Sequence, residues 1–133
     1  MNYQTIAKIL CAILSLYFVV SGLSPLFDID SKLQRIGLSA TSLDGKIAFI
    51  LIYSSLMVGI GVAMTLLALI QKTPNLSLVL AGVILSSFVT FRFIGSFIGG
   101  GITETQIGYV IVELVEIAIV FFVLYKVRFN KSQ

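Results

Sequence analysis

The sequence predicts an all-α integral membrane protein whose fold is a four-helix transmembrane bundle. Of the 133 residues, 58% are hydrophobic and only 11% are charged, and the mean hydropathy is +1.08. Soluble domains are about 45–50% apolar and about 25% charged, so a soluble fold of this size could not bury so much apolar surface. Four apolar runs reach the length of about 20 residues that a helix needs to cross a bilayer core. Helices are expected because backbone polar groups in hydrocarbon must be satisfied internally.

The apolar runs place the four spans within one transmembrane domain, residues 1–133. The predicted spans are Ile6–Phe27, Ile47–Ile70, Leu76–Ile98 and Ile107–Tyr125, and residues 28–46 form the longest connection between them. The first span is longer than the 7–15 apolar residues that are usual in a signal peptide, so we expect it to be retained. Thr41 with Asp44, and Thr103 with Gln106, have capping-box spacing just before the second and fourth spans, which supports helix starts there.

The connection 28–46 leaves two structures open. Ile29, Leu33 and Ile36 recur with helical spacing, which is typical of a short amphipathic helix on the membrane surface that ends at Gly37. The alternative is an ordered loop that covers the mouth of the bundle.

Basic residues in the short flanks predict the orientation of the bundle. An even number of spans puts both termini and the turn at Lys72 on one side, which carries five basic residues: Lys8, Lys72, Lys126, Arg128 and Lys131. The other side carries three: Lys32, Arg35 and Lys46. Because cytoplasmic flanks are richer in Lys and Arg, we expect both termini in the cytoplasm.

Small residues at four-residue spacing predict where helices approach one another. Ser55, Gly59 and Ala63 form such a stripe on the second span, and Gly95 and Gly99 form a GxxxG on the third. Small side chains let helix backbones come close in lipid. These five residues are the predicted helix-packing positions, and Ala7, Cys11 and Ser15 form a similar stripe on the first span.

Arg92 is the only charged residue in the third span, and it needs a partner or access to water, because an ionised side chain in hydrocarbon costs at least about 2.5 kcal/mol. The third and fourth spans are joined by a short loop, so positions equidistant from its midpoint lie at similar depth. Glu113 is the residue at the depth of Arg92. Arginine suits such a pair because its planar guanidinium binds a carboxylate through two hydrogen bonds.

Tyr109, Glu113 and Glu116 fall on one side of the fourth span by i+4 and i+3 spacing. We therefore predict a charged cluster of Arg92, Glu113, Glu116 and Tyr109 in the half of the bundle nearest the loop at residues 99–106. Three interpretations stay open. The Arg–Glu pair fixes helix register, the cluster forms a polar ligand site, or Arg92 extends to the membrane surface.

Short motifs in this chain resemble a bacterial family of small four-helix membrane proteins of unknown function, grouped with the DoxX/DoxD-like superfamily. They are Gly22-Leu23 and Pro25 at the end of the first span, FRFIG at 91–95, the glycine turn GGG at 99–101 and VEL at 112–114. The resemblance implies that Arg92 and Glu113 occupy the family's charged positions, and that the protein lies in the bacterial inner membrane. The wider superfamily implies roles linked to quinones, lipids or sterol-like ligands.

The second span departs from the pattern of that family, in which a Glu and an Arg precede Tyr-Gly-Gly. This region reads AFILIYSSL here, so Tyr53 matches while Ser54 and Ser55 replace the glycines and both charges are missing. Any function that needs this second charged pair is therefore not expected.

Composition narrows the classes of function. The chain has no histidine, no nucleophile motif and no metal-ligand spacing, so no catalytic residue, metal or cofactor is predicted. A general-acid role for Glu116 is left open, and therefore so is the question of whether the protein is an enzyme. The net charge of +3 comes from scattered residues that flank spans, which indicates membrane topology rather than nucleic-acid binding. Cys11 is single and cannot form an internal disulfide.

Besides the enzyme that Glu116 leaves open, the sequence favours two functions. The first is binding of a lipidic or amphipathic small molecule, or of a partner helix, at the polar cluster in the bundle. The alternative is a small proton-coupled secondary transporter that uses the membrane carboxylates. Small multidrug exporters keep their key glutamate in the first helix, and this chain has none there. The predicted partners are membrane lipids and a hydrophobic ligand; the identity of the ligand and the presence of a homo-oligomer are left open.

Overall fold

The structure, a computed structural model, describes residues 2–129 and is built from α-helices, with no β-strand in that range. The helices are α1 (Tyr3–Leu23), α2 (Ile29–Arg35), α3 (Leu43–Phe49), α4 (Ser55–Ile70), α5 (Asn75–Ile98) and α6 (Glu104–Phe129). A 3₁₀ turn at Ser24–Leu26 extends α1, and a π-helical turn at Ile50–Ser54 joins α3 to α4. The all-α four-helix bundle predicted from the sequence is confirmed.

Within the described residues, four segments are long and apolar enough to cross a membrane: Tyr3–Leu26, Leu43–Ile70, Asn75–Ile98 and Glu104–Arg128. The second begins four residues before the predicted Ile47, because the first turn of α3 contains polar residues that hydropathy assigns to the connection. Its N-cap is Ser42, whose Oγ accepts a hydrogen bond from the backbone N–H of Gly45 at 3.1 Å. The cap therefore lies one residue after the predicted Thr41.

The bundle has two faces that the following description uses throughout. Asn2, the turn at Lys72 and Arg128 lie on one face, called the Lys72 face. The connection 28–42 and the turn 99–103 lie on the opposite face. Large apolar side chains are exposed all around the four spans, Phe91, Phe97 and Phe122 among them. In water such a surface would drive association, whereas in a bilayer it is the surface that meets acyl chains.

α1 and α4 make the closest helix contacts, and two glycines permit them. A Cβ added at Gly61 would lie 2.6 Å from the backbone oxygen of Ser15, and one at Gly22 would lie 2.9 Å from that of Ser54. Because such distances leave no room for a side chain, only glycine fits at both positions.

The predicted stripes on α4 and α5 do not lie at these contacts. A Cβ at Gly59 or Gly95 would meet no atom within 4 Å, and one at Gly99 would meet only backbone oxygens of its own helix. Ser55 is exposed and donates a hydrogen bond to the backbone oxygen of Leu51, and Ala63 is half-buried. The stripe of Ala7, Cys11 and Ser15 on α1, in contrast, is buried, and its Ser15 lies at the Gly61 contact.

The core runs through the bundle from the Lys72 face past its middle. Leu14 and Phe18 of α1, Met64 of α4, and Leu78 and Leu85 of α5 are buried in it. The hydroxyl of the fully buried Ser77 donates a hydrogen bond to the backbone oxygen of Met64 at 2.7 Å and links α5 to α4. The last buried residue of α5 is Val89, so the nine residues of that helix beyond it, Thr90–Ile98, are not part of the packed core.

The connection 28–42 combines features of both predicted alternatives. It contains a short helix, α2, with Asp28 as its N-cap, and the chain turns at Gly37, whose φ is +76°. Leu33 of this helix is buried, so α2 packs on the bundle as well as presenting an exposed side. Lys46 of α3 forms an ion pair with Asp30 at 2.6 Å and ties the connection to the start of the second span.

Candidate functional site

Arg92 of α5 and Glu113 of α6 form the predicted ion pair. Nε of Arg92 donates to Oε2 of Glu113 at 3.2 Å, and Nη2 donates to Oε1 at 2.5 Å, so the guanidinium binds the carboxylate through two parallel hydrogen bonds. The side chains are 23% and 12% exposed, respectively. Pairs of this kind are shorter and stronger than neutral hydrogen bonds, which is why two charges are tolerated at this depth.

Two further side chains of α6 hold the guanidinium in place. Nη1 of Arg92 donates a hydrogen bond to Oε1 of Gln106, and the Tyr109 ring lies 5.2 Å from the guanidinium carbon. Sequence reasoning placed Tyr109 here but missed Gln106, which was interpreted only as the capping-box partner of Thr103. The cap does form, with the backbone N–H of Gln106 donating to Oγ1 of Thr103 at 3.3 Å. The available signal was that Gln106 lies seven residues before Glu113, two helical turns along the same side.

Glu116 does not take part in these contacts. It is half-buried, and within residues 2–129 it has no ion pair and no hydrogen bond to its side chain. The structure therefore brings three of the four predicted residues into direct contact and leaves the fourth one turn further along α6.

A second polar group lies between α1, α2 and α4, and sequence reasoning did not find it. The hydroxyls of Ser21 and Tyr53 are 3.0 Å apart, and Nζ of Lys32 lies 3.5 Å from the Ser21 oxygen and 5.1 Å from the centre of the Tyr53 ring. The ring of Phe49 stacks on Tyr53 at 5.0 Å. The π-helical turn that contains Tyr53 has no sequence signal, although such turns are frequent at functional sites.

The Arg92 group and the Tyr53 group both lie toward the opposite face. Polar side chains from all four spans thus occupy the half of the bundle next to the opposite face. This half is also the one that the packed core does not reach along α5.

A cavity of about 430 Å³ opens beside Arg92. It is lined by four polar residues, two aromatic rings and two glycines: Arg92, Gln106, Ser96, Thr103, Phe88, Phe91, Gly95 and Gly101. The groups offered to an occupant are guanidinium and amide donors, two hydroxyls and two aromatic rings. No set of three or more metal-ligating side chains occurs in the described part of the chain.

Comparison with family models, with curated protein sequences and with solved structures gave no match in any of the three searches.

Proposed function

We propose that this multi-pass membrane protein binds a small, uncharged amphipathic molecule in the cavity beside Arg92. The observation that carries the proposal is the cavity itself. Its volume of about 430 Å³ lies within the range of roughly 300–1,000 Å³ that is usual for small-molecule sites. It also combines a few fixed polar groups with apolar walls, as such sites do.

The hydrogen bonds of Arg92 indicate which polar group would be recognised. A guanidinium has five N–H groups, and three of them are used by Glu113 and Gln106. The remaining two, one on each terminal nitrogen, have no partner among the described residues. They can donate to a carbonyl or hydroxyl oxygen of a ligand that enters the cavity.

The charge of the site favours an uncharged ligand. The carboxylate of Glu113 compensates the guanidinium at 2.5 Å, and Glu116 adds a carboxyl group one turn away. An anionic head group would bring a further negative charge close to these two acids. Phe88 and Phe91 on the cavity wall suit a ring or chain beside the polar end. The quinone-like and sterol-like ligands implied by the DoxX/DoxD-like resemblance have this chemistry. We propose, as part of the same hypothesis, that the protein belongs to that superfamily and lies in a bacterial inner membrane.

A cavity-filling variant tests the proposal. Gly95 lines the cavity, and an added Cβ meets no atom within 4 Å, so Gly95→Leu fills the space without disturbing helix packing. Gly108→Leu is the matched control, because this glycine on α6 is equally unobstructed and does not line the cavity. Binding of decylubiquinone to the detergent-solubilised full chain is measured by calorimetry, with decyl phosphate as the anionic comparison.

We expect wild type and Gly108→Leu to bind the quinone with equal affinity, and Gly95→Leu to bind at least about tenfold more weakly, a loss of about 1.4 kcal/mol. Equal binding by Gly95→Leu would show that the ligand lies elsewhere. Preferred binding of decyl phosphate would refute the argument from charge.

Glu116 supports a second candidate, proton-coupled transport, because it is a membrane carboxyl group without a cationic partner among the described residues. The discriminating measurement is uptake of tetraphenylphosphonium into liposomes under a pH gradient. Transport requires gradient-dependent uptake that Glu116→Gln abolishes and Glu104→Gln, at the exposed start of α6, preserves. Uptake that is independent of the gradient leaves the binding function as the better explanation.

A further inference from the structure

A second recess, far from Arg92, lies between α1 and α4 and opens toward the Lys72 face. It has a volume of about 680 Å³ and extends from Lys8 and Lys72 at the open end to Val19 and Thr65 at the closed end. The closed end is the tight crossing at Gly61, where the Val19 side chain would lie 2.7 Å from an added Cβ. The groove extends from that crossing along α1 and α4 to Lys8 and Lys72.

The length of the groove matches one leaflet of a bilayer. Lys8 and Val19 are eleven residues apart on α1, or about 16 Å at 1.5 Å per residue. The hydrocarbon core is about 30 Å thick, so the groove is about as long as one leaflet is deep. Its walls are predominantly apolar, with Leu16 and Leu69 among them.

Charge is distributed so that the open end attracts anions. All six acidic residues of the sequence lie in the connection 28–46 or between Glu104 and Glu116, and none belongs to the Lys72 face. Lys8 and Lys72 are exposed, and neither forms an ion pair within residues 2–129. Lys72 has a φ of +55°, a left-handed conformation after a helix that glycine usually occupies. Backbone preference alone therefore does not account for a lysine here.

We propose that this groove binds an anionic phospholipid from the leaflet at the Lys72 face, with its phosphate between Lys8 and Lys72 and one acyl chain along Leu16 and Leu69. Basic recesses between transmembrane helices bind anionic head groups in this way. A second copy of the chain would place like charges opposite one another at the open end. A zwitterionic lipid would leave the two lysines without net compensation. This site is separate from the proposed cavity at Arg92, and its occupancy does not depend on that function.

Photo-crosslinking tests the proposal. The full chain is reconstituted in phosphatidylcholine nanodiscs containing a small fraction of phosphatidylglycerol with a photoreactive group in its acyl chain, and adducts are mapped by mass spectrometry. We expect adducts concentrated on the groove residues of α1 and α4. Unlabelled phosphatidylglycerol should compete, whereas added phosphatidylcholine and oleate should not.

Charge and shape variants complete the experiment. Lys8→Gln and Lys72→Gln should each lower groove labelling about fivefold, from the contribution of one basic residue beside an anionic lipid, while Lys126→Gln on the same face leaves it unchanged. Ala12→Leu, on the groove wall, should lower labelling, whereas Ala118→Leu, exposed on α6, should not. The proposal is overturned if adducts spread evenly over the bundle, or if oleate or phosphatidylcholine competes as well as phosphatidylglycerol. It is also overturned if the variant that carries both Lys8→Gln and Lys72→Gln is labelled as strongly as wild type.

Discussion

The ion pair between Arg92 and Glu113 can be tested with a double-mutant cycle that separates a structural role from a ligand-binding role. Glu113→Leu leaves the guanidinium, which is 23% exposed, without its carboxylate and about 9 Å inside the end of α5. A charged side chain at the centre of a membrane helix costs about 2.5–3.5 kcal/mol on insertion scales. Because Gln106 and Tyr109 still contact Arg92, we expect a loss of about 2–3 kcal/mol in the free energy of unfolding.

Arg92→Leu should be less damaging, at about 1 kcal/mol, because the Glu113 carboxyl that remains can take up a proton, which removes most of the cost of burying it. The double variant should lie within about 1 kcal/mol of wild type, since replacing a buried pair by apolar residues is often neutral. The unfolding of each protein in mixed detergent micelles is monitored by circular dichroism. These measurements give the difference in the free energy of unfolding between wild type and each of the three variants. If the single effects add to within about 0.5 kcal/mol, the two residues are not coupled and the account of the pair is wrong.

The same double variant distinguishes the interpretations left open by the sequence. If the pair only fixes helix register, the double variant still binds the ligand as long as its helices are stably folded. If the Arg92 guanidinium donates a hydrogen bond to the ligand, the double variant binds the ligand more weakly. The double variant is therefore assayed for decylubiquinone binding beside wild type, and retained binding would assign Arg92 a structural role alone.

The remaining predictions concern packing, a buried hydrogen bond and a helix cap. Gly61→Ala should destabilise the bundle by about 1–3 kcal/mol through overpacking. Gly59 has open space around it, so Gly59→Ala should instead stabilise α4 by about 0.5–1 kcal/mol. Unfolding in detergent micelles measures both changes. Ser77→Ala removes a buried hydrogen bond and should cost about 0.6–1.7 kcal/mol in the same assay. Hydrogen bonds from the hydroxyl and backbone N–H of Ser31 hold the pKa of Asp28 below its ordinary value. The ionised Asp28 cap therefore stabilises α2 fully above about pH 4. This stabilisation is lost as the pH falls through the lowered pKa. Amide exchange in α2 should accelerate at acid pH in wild type, and an Asp28→Asn variant that shows the same acceleration would contradict this.

Hydropathy and a short loop explain what could be predicted. The apolar runs define four helices because lipid admits few other solutions. The contact between Arg92 and Glu113 followed from depth, because the turn at residues 99–103 fixes the register of α5 against α6. Tyr109 followed from its place one turn before Glu113.

Contacts between helices that are distant in sequence could not be predicted in the same way. Tyr53 meets Ser21 across helices that no short loop joins. Depth along a span does not say which span lies beside it, and Ser55, Gly59 and Ala63 satisfy the spacing rule as well as Gly61 does. Gln106 was misjudged for another reason, since one residue supplies a backbone donor to Thr103 and a side-chain acceptor to Arg92.

The distribution of packing explains why a charge can lie near the end of α5. Between α1 and α4, glycine contacts and buried apolar side chains such as Phe18 and Met64 supply the close packing on which helix association in lipid depends. The segment of α5 beyond Val89 has no buried residue, so it can line a cavity and carry a charge without interrupting that packing. We therefore expect the Arg92–Glu113 pair to be replaceable with little loss of stability, whereas a methyl group at Gly61 cannot be accommodated without displacing α1.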